Sequence, residues 1–316
     1  MRTKSSLGEI CLQLLEQQKL HWPQLTVGYK SLASVQVRTV DCKGFSVCIQ
    51  LNPNRITSTG AVLDPDTLRN RKCFLCVENL PKEQKGILYQ KKFFLLCNPV
   101  PIFSGHMTFS SIDHIPQELG PFLEVFLDVS KELSPQSTVF YNGPKCGASA
   151  PDHLHFQVSP RRALPIENDA VDMSRRKRLY YKNHVAAFVL LNYGRASIII
   201  ESTDKAHLLE FIGTFLGLLK KSQNTSEEPK VNILCSYQED LWRLIVLPRR
   251  KHRPDVYFLD EDLRVLISPA AVDMGGLLVT PLEKDFLRVD SQFIEDIYKE
   301  VTMPQDECEE ILKEMM

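Results

Sequence analysis

Alternation of apolar and polar positions sets the first expectations. In residues 153–158, His153, His155 and Gln157 alternate with Leu154, Phe156 and Val158. That period of two predicts a β-strand with the polar triplet on one face and the apolar set on the other. At the amino terminus the apolar positions Leu7, Ile10, Cys11, Leu14 and Leu15 follow helical spacing, and Ser6 with Glu9 forms a capping box in front of them. Residues 35–51 read as a hairpin around Asp41-Cys42-Lys43-Gly44. Strands are expected at 91–97 and 106–111, separated by a turn-rich segment, with another at 138–141. Between them Asp113 and His114 open a predicted helix with Leu119, Phe122, Leu123 and Phe126 on one side.

The second half repeats this order. Residues 184–191 and 196–201 read as a strand pair, and a helix follows with Leu208, Phe211, Ile212, Phe215 and Leu219 on one face. After a polar link at 222–230 come strands at 231–236 and 242–248. Where the first copy has HLHFQVSP, the second has WRLIVLP. The strand is kept and the polar triplet is lost, which argues that the triplet is functional. A boundary is placed in the polar and basic stretch 161–178, giving units 1–165 and 166–316, with Arg175–Arg178 read as a solvated link. The tail carries the glycine pair Gly275-Gly276 and two helical segments near 293–301 and 307–315.

The chain has 316 residues, 43% hydrophobic and 24% charged, and a net charge of −1. This is the composition of a globular chain with an ample core. It lacks the basic excess of a general nucleic-acid binder. No apolar run reaches the ~18 residues of a membrane span. Nine cysteines, an odd number, without an export signal point to reduced thiols and a cytoplasmic location.

Three features carry candidate chemistry. Cys73-Phe74-Leu75-Cys76 is either half of a zinc site or a redox pair, and the following Pro81 opposes the helix a redox motif needs. A lone histidine in an apolar strand is usually a hydrogen-bonded core residue, but two histidines and a glutamine on one face each need a buried partner. In front of them, residues 143–149 form a glycine-containing turn with Lys145, Gly147 and Ser149, able to point N–H groups at a phosphate. Arg55, on a predicted loop, has the side chain best suited to a bidentate phosphate contact.

Taken together these motifs resemble the galactose-1-phosphate uridylyltransferase branch of the histidine-triad superfamily, most closely its GDP-hexose phosphorylases. His153-Leu154-His155-Phe156-Gln157 matches the branch's His-x-His-x-Gln signature. Cys73, Cys76, His114 and His153 follow the order of its zinc ligands. The likeness covers residues 35–160 well and the remainder in outline. It implies an α+β fold of two fused histidine-triad-like repeats, with antiparallel sheets, flanking helices and one active site in the first repeat. The implied activity is phosphorolysis of a nucleoside-diphosphate hexose through a nucleotidyl-histidine on His155, with Gln157 on the transferring phosphoryl group and release of hexose 1-phosphate. It implies a structural zinc on Cys73, Cys76, His114 and His153, with His106 as a rival to His114. Arg55, Lys145, Gly147 and Ser149 are the candidates for the substrate phosphates. A dinucleoside-polyphosphate phosphorylase and a non-catalytic, zinc-stabilised nucleotide-binding protein are the alternatives. A glutamine at the third place cannot titrate, which favours transfer to an acceptor over hydrolysis. Leu154 stands where the uridylyltransferases have proline, and the scattered later histidines predict that their second metal site is absent. The resemblance allows a homodimer and calls for neither nucleic acid nor membrane.

Overall fold

The computed structural model describes residues 5–316. Two helices open it, α1 (Leu7–His21) and α2 (Pro23–Leu32), and Ser6 and Glu9 cap the first as the sequence predicts. The hairpin β1 (Gln36–Cys42) and β2 (Phe45–Leu51) follows, then the short helices α3 (Ile56–Thr59) and α4 (Pro65–Asn70). Next come β3 (Gly86–Tyr89), β4 (Phe93–Cys97), β5 (Met107–Ser111), α5 (Leu123–Glu132), β6 (Ser137–Asn142) and β7 (His155–Pro160). After α6 (Pro165–Asp169) the second set runs β8 (Arg176–Lys182), β9 (Val185–Leu190), β10 (Ile198–Ser202), α7 (Lys205–Ser222), β11 (Val231–Gln238) and β12 (Leu241–Pro248). The tail holds α8 (Ala271–Met274), β13 (Leu277–Thr280), α9 (Glu283–Arg288), α10 (Ser291–Val301) and α11 (Gln305–Glu314). None of the described helices is long and apolar enough to cross a membrane.

One ten-stranded antiparallel sheet has the order β3-β4-β5-β7-β6-β11-β12-β10-β9-β8. Read from either end, the order is the same in the two halves, with β6 and β11 meeting at the centre. The register fixes the correspondence residue by residue. Phe140 faces Gln157 on β7, Leu234 faces Ile245 on β12, and Phe140 pairs with Leu234 across the join. A pseudo-twofold axis therefore passes between Phe140 and Leu234. It relates Gln157 to Ile245, His155 to Arg243, and Asn142 to Ser236.

Strand alternation divides the core into two layers. On one face Phe109, Phe156, Val158, Ile200, Leu244 and Val246 pack with residues of α1, α5, α7 and α11, among them Leu15, Phe126, Phe215 and Ile311. On the other, Phe140, Ile199, Leu234 and Ile245 pack under Val47 and Ile49 of β2 and Ile294, Ile297 and Tyr298 of α10. The cover on this face is a three-stranded sheet, β1-β2-β13, in which β13 from the second half runs parallel to β2 from the first. The amino-terminal hairpin is thus completed by the carboxy-terminal tail.

Four sequence expectations need correction. The helix expected to open at Asp113 starts at Leu123, after one tight turn at Gly120–Phe122. Pro116 disfavours helical conformation at Ile115, and 113–119 runs irregularly beside 151–154, with the Leu154 N–H donating to the Ile115 carbonyl. The strand expected to carry all three polar residues begins only at His155, because the turn at 151–152 precedes it. The basic run at 175–178 is no link: Arg176 opens the edge strand β8, nearly buried and paired with Glu201 at 2.9 Å. Finally, α2 and β13 were not anticipated; β13 is four apolar residues with no alternation to announce it.

Arg249 ties the second repeat to the tail. It is fully buried and donates to Asn232 Oδ1 (2.7 Å) and to the carbonyls of Pro269 (2.8 Å), Val301 (3.1 Å), Lys251 (3.1 Å) and His252 (3.0 Å). Removing it takes the donor from four acceptors, Val301 keeping the Arg250 N–H. Arg249→Ala should therefore destabilise the fold by at least about 3 kcal/mol, and Arg249→Lys should not rescue it, because an ammonium has only three donors. Chemical denaturation of the three proteins checks this. Full rescue by lysine would mean that charge, not the fork of donors, matters.

Candidate active site and metal centre

The segment between β6 and β7 splits the two histidines by direction. His155 begins the strand, and its backbone is clamped by the buried Gln117, which accepts from the His155 N–H (2.7 Å) and donates to the carbonyls of His155 and Asn142 (both 2.9 Å). Its imidazole Nδ1 lies 2.8 Å from the His153 carbonyl. A carbonyl only accepts, so Nδ1 carries the proton and the lone pair is on Nε2. Nε2 has no hydrogen-bond partner among the described residues. Burial, together with the charge of His153, pushes the His155 pKa down to about 4. At neutral pH this imidazole is therefore uncharged, with one nitrogen free, as a nucleophile requires.

Gln157 lies two residues along the same face, roughly 7 Å away. Its amide is set by His106, which is fully buried. The Ile102 N–H donates to His106 Nδ1 at 3.1 Å, so the ring proton is on Nε2 and is donated to Gln157 Oε1 at 2.7 Å. The Gln157 NH2 is left as a free donor. Burial and the charge of Arg55 push the His106 pKa down to about 3, so this arrangement holds throughout the neutral range. His106, the rival metal ligand in the sequence, is a positioning residue for Gln157 instead.

Gln157 opens into a cleft of about 520 Å³ counted to its mouth, which is also lined by Arg55, Asn142, Gly147, Ser149 and Asp273. Three of the four candidate phosphate residues therefore converge there. Gly147 has a φ of +86°, and a Cβ on it would meet Ala270 Cβ at 2.5 Å. Only glycine lets this turn adopt its conformation and press against the tail. Arg55 is anchored to the Val100 carbonyl at 3.0 Å, and burial brings its pKa down to about 10, still charged at neutral pH. Lys145 does not reach the cleft: its ammonium is exposed and pairs with Glu227 at 2.5 Å. Asp273, which sequence reasoning missed, accepts from the Ala270 and Val279 N–H groups, both at 2.9 Å. Burial raises its pKa to about 6, against those bonds and the Arg55 charge. The neighbouring glycine pair was its only signal in the sequence.

His153 turns the other way. Its Nε2 donates to the Ser111 carbonyl at 2.8 Å, leaving the Nδ1 lone pair 3.3 Å from Cys73 Sγ and 3.6 Å from Cys76 Sγ. His114 Nδ1 is 3.2 Å from Cys76 Sγ, and its Nε2 is 3.6 Å from a carboxylate oxygen of Asp152. All four ligand atoms lie within 4.8 Å of one another. Zinc bonds of about 2.3 Å to sulfur and about 2.0–2.1 Å to nitrogen give tetrahedral edges of roughly 3.3–3.8 Å. The 3.2–3.6 Å contacts fit those edges, and His153 has an outer acceptor on its second nitrogen, the Ser111 carbonyl, as metal-ligating histidines do. Burial opposes the Cys73 thiolate, but His153 and the N–H groups of Leu75 and Cys76 outweigh it and bring the thiol to about 6. His114 reaches Cys76 from the irregular 113–119 segment.

The two buried neutral histidines give the fold an acid-sensitive term. Their folded pKa values of about 3 and about 4 lie below the ordinary 6.5. As pH falls below 6.5 the unfolded chain takes up protons that the folded chain refuses. Stability therefore falls through the window from 6.5 to about 4, by up to about 1.4 kcal/mol per pH unit for each histidine. His106→Gln should flatten this slope by up to one proton in denaturation series across that range, and an unchanged slope would contradict the assignment.

Comparison with known proteins places this geometry. Residues 14–160 match a domain of unknown function, DUF4922, and residues 170–316 match the GDPGP1-like C-terminal domain. A comparison with curated proteins finds no match. Among solved structures, yeast Ap4A phosphorylase Apa2 matches with a TM-score of 0.63 at 13% identity, covering 92% of this chain and 97% of that one. Its complex with AMP matches with a TM-score of 0.59 at 15% identity, with the same coverage. Its complex with Ap4A gives 0.56 at 13% identity, covering 96% and 99%. With its paired repeats, the chain shares the fold of Ap4A phosphorylase Apa2 over 92% of its length, and its second half resembles the GDPGP1-like C-terminal domain.

Proposed function

We propose that this protein is a nucleotidyltransferase that phosphorolyses a nucleoside-diphosphate hexose through a nucleotide covalently held on His155. The observation that carries the reading is the free Nε2 of His155, with its partner nitrogen locked as a donor to the His153 carbonyl at 2.8 Å. Nε2 attacks the α-phosphorus, and the bond to the bridging oxygen breaks, releasing hexose 1-phosphate. The positive charge that develops on the ring is stabilised through Nδ1–H by the His153 carbonyl. The free NH2 of Gln157 donates to a non-bridging oxygen as charge builds there. An oxygen of inorganic phosphate then attacks the same phosphorus, the P–N bond breaks, and nucleoside diphosphate leaves. Neither leaving group needs a proton from the third residue, which suits a glutamine.

Arg55, Gly147 and Ser149 suit the diphosphate in this reading, and Lys145, engaged with Glu227, is given no part in it. The likeness to Ap4A phosphorylase supports a second reading, in which the same nucleophile acts on a dinucleoside polyphosphate. Zinc held by Cys73, Cys76, His114 and His153 would be structural, because four protein ligands leave no open position for chemistry. Its effect would be to fix the carbonyl that holds His155.

Turnover assays with GDP-hexose, UDP-hexose and diadenosine tetraphosphate separate the readings. His155→Ala should lose at least about a thousandfold in phosphorolysis with its metal content unchanged. His153→Ala should lower both bound zinc and thermal stability. Residual turnover in His155→Ala near that of the parent would remove the nucleophile assignment, and full zinc in His153→Ala would remove the Cys₂His₂ set.

A further inference from the structure

Two residues that line the Gln157 cleft have pseudo-twofold counterparts in a second cleft. The first is lined by Asn142 and Gln157; the second is lined by their counterparts Ser236 and Ile245, and by Arg243, the counterpart of His155. Arg161, Arg162, Glu167 and Val171 complete the lining. We propose that this cleft, lined from both repeats, is a binding site for inorganic phosphate or a similar bare tetrahedral oxyanion.

The charge balance is the first support. Arg243 shares the single carboxylate of Glu201 (2.6 Å) with Arg176 (2.9 Å), so one negative charge answers two guanidiniums. The side chains of Arg161 and Arg162 have no hydrogen-bond or ion-pair partner among the described residues. Glu167, the one carboxylate in the lining, is already engaged by the Thr138 hydroxyl and the Leu164 N–H. Glu167 and, after it, the exposed Glu239 offset part of the Arg161 charge, and among the described residues no carboxylate of the lining is ion-paired with Arg162 or Arg243. Burial, then the like charges of Arg162 and Arg243, holds the Arg161 pKa below its ordinary value, which marks three guanidiniums close enough to repel one another. Such convergence costs free energy in the empty protein and is relieved by an anion.

Backbone and size add to it. Arg162 adopts φ +61°, a conformation that side-chain-bearing residues rarely occupy and that tends to persist where a site requires it. The cleft is about 240 Å³ counted to its mouth, under half of the Gln157 cleft's 520 Å³. Its interior is narrow, so an oxyanion would sit at the mouth, beside the exposed Arg162, and a nucleoside diphosphate would not enter. Across four adjacent strands it lies roughly 14 Å from Gln157, measured from Ile245 at about 4.8 Å per strand. An anion there is a separate occupant from the transferred phosphoryl group.

Titration calorimetry with inorganic phosphate, in a buffer free of other oxyanions, tests the proposal. Wild type, Arg55→Ala and the double variant Arg161→Ala/Arg162→Ala are compared. The expected result is a phosphate-binding component that survives Arg55→Ala and weakens at least tenfold in the double variant. Arg161→Lys/Arg162→Lys should restore part of it. Arg162→Glu alone, an exposed change with little consequence for folding, should weaken the same component and serves if the double variant unfolds. Phosphate binding identical in wild type, the double variant and Arg162→Glu would overturn the proposal. So would binding that Arg55→Ala abolishes completely. Neither outcome bears on whether His155 is the nucleophile.

Discussion

The contact between the His155 imidazole and the His153 carbonyl is the constraint on which the site depends. It fixes which nitrogen of His155 is bare, and its geometry is set by how His153 is held. His153 is held in turn from both ring nitrogens, by the Ser111 carbonyl and by the cysteine pair. A chain of contacts thus runs from Cys73 and Cys76, through His153 and its backbone, to the free Nε2 of His155. The two histidines look alike in sequence and do opposite work. One turns an Nδ1 lone pair to the cysteine pair, while the other is buried where only its neutral form survives.

A second constraint is the central pairing of Phe140 with Leu234. It makes one sheet of two repeats and places the cover sheet astride them, with β13 completing the hairpin of β1 and β2. The Gln157 cleft is therefore a product of both halves: Gln157 and Ser149 come from the first, Asp273 and Ala270 from the second. The same symmetry shows what divergence has done. At the position of His155 the second half carries Arg243 in an ion pair with Glu201, and at that of Gln157 the apolar Ile245. Two related strands have kept their packing face and exchanged the chemistry on the other.

Much of this was legible in the sequence because it rests on local pattern. Alternation announced most of the strands, helical spacing announced α1 and α7, and the ordered Cys-x-x-Cys, His114 and His153 announced the cluster. What was not legible depends on contacts remote in the chain. Asp273 reaches the cleft only because β13 pairs with β2, and nothing in four apolar residues specifies that partner. Gln117 and His106 act through hydrogen bonds to residues 38 and 51 positions away. Lys145 looked right by its place in a glycine-containing turn, yet the turn directs it outward to Glu227, beyond the reach of any local rule.

The central claim is that His155 Nε2 takes the nucleotide covalently. The most direct measurement is the intact mass of the protein after brief mixing with each nucleotide donor in the absence of phosphate. The account predicts a gain of one nucleoside monophosphate with the true donor, absent in His155→Ala, and lost again when phosphate is added. Turnover of a donor with no mass gain at any mixing time, or an adduct that persists in His155→Ala, would contradict it.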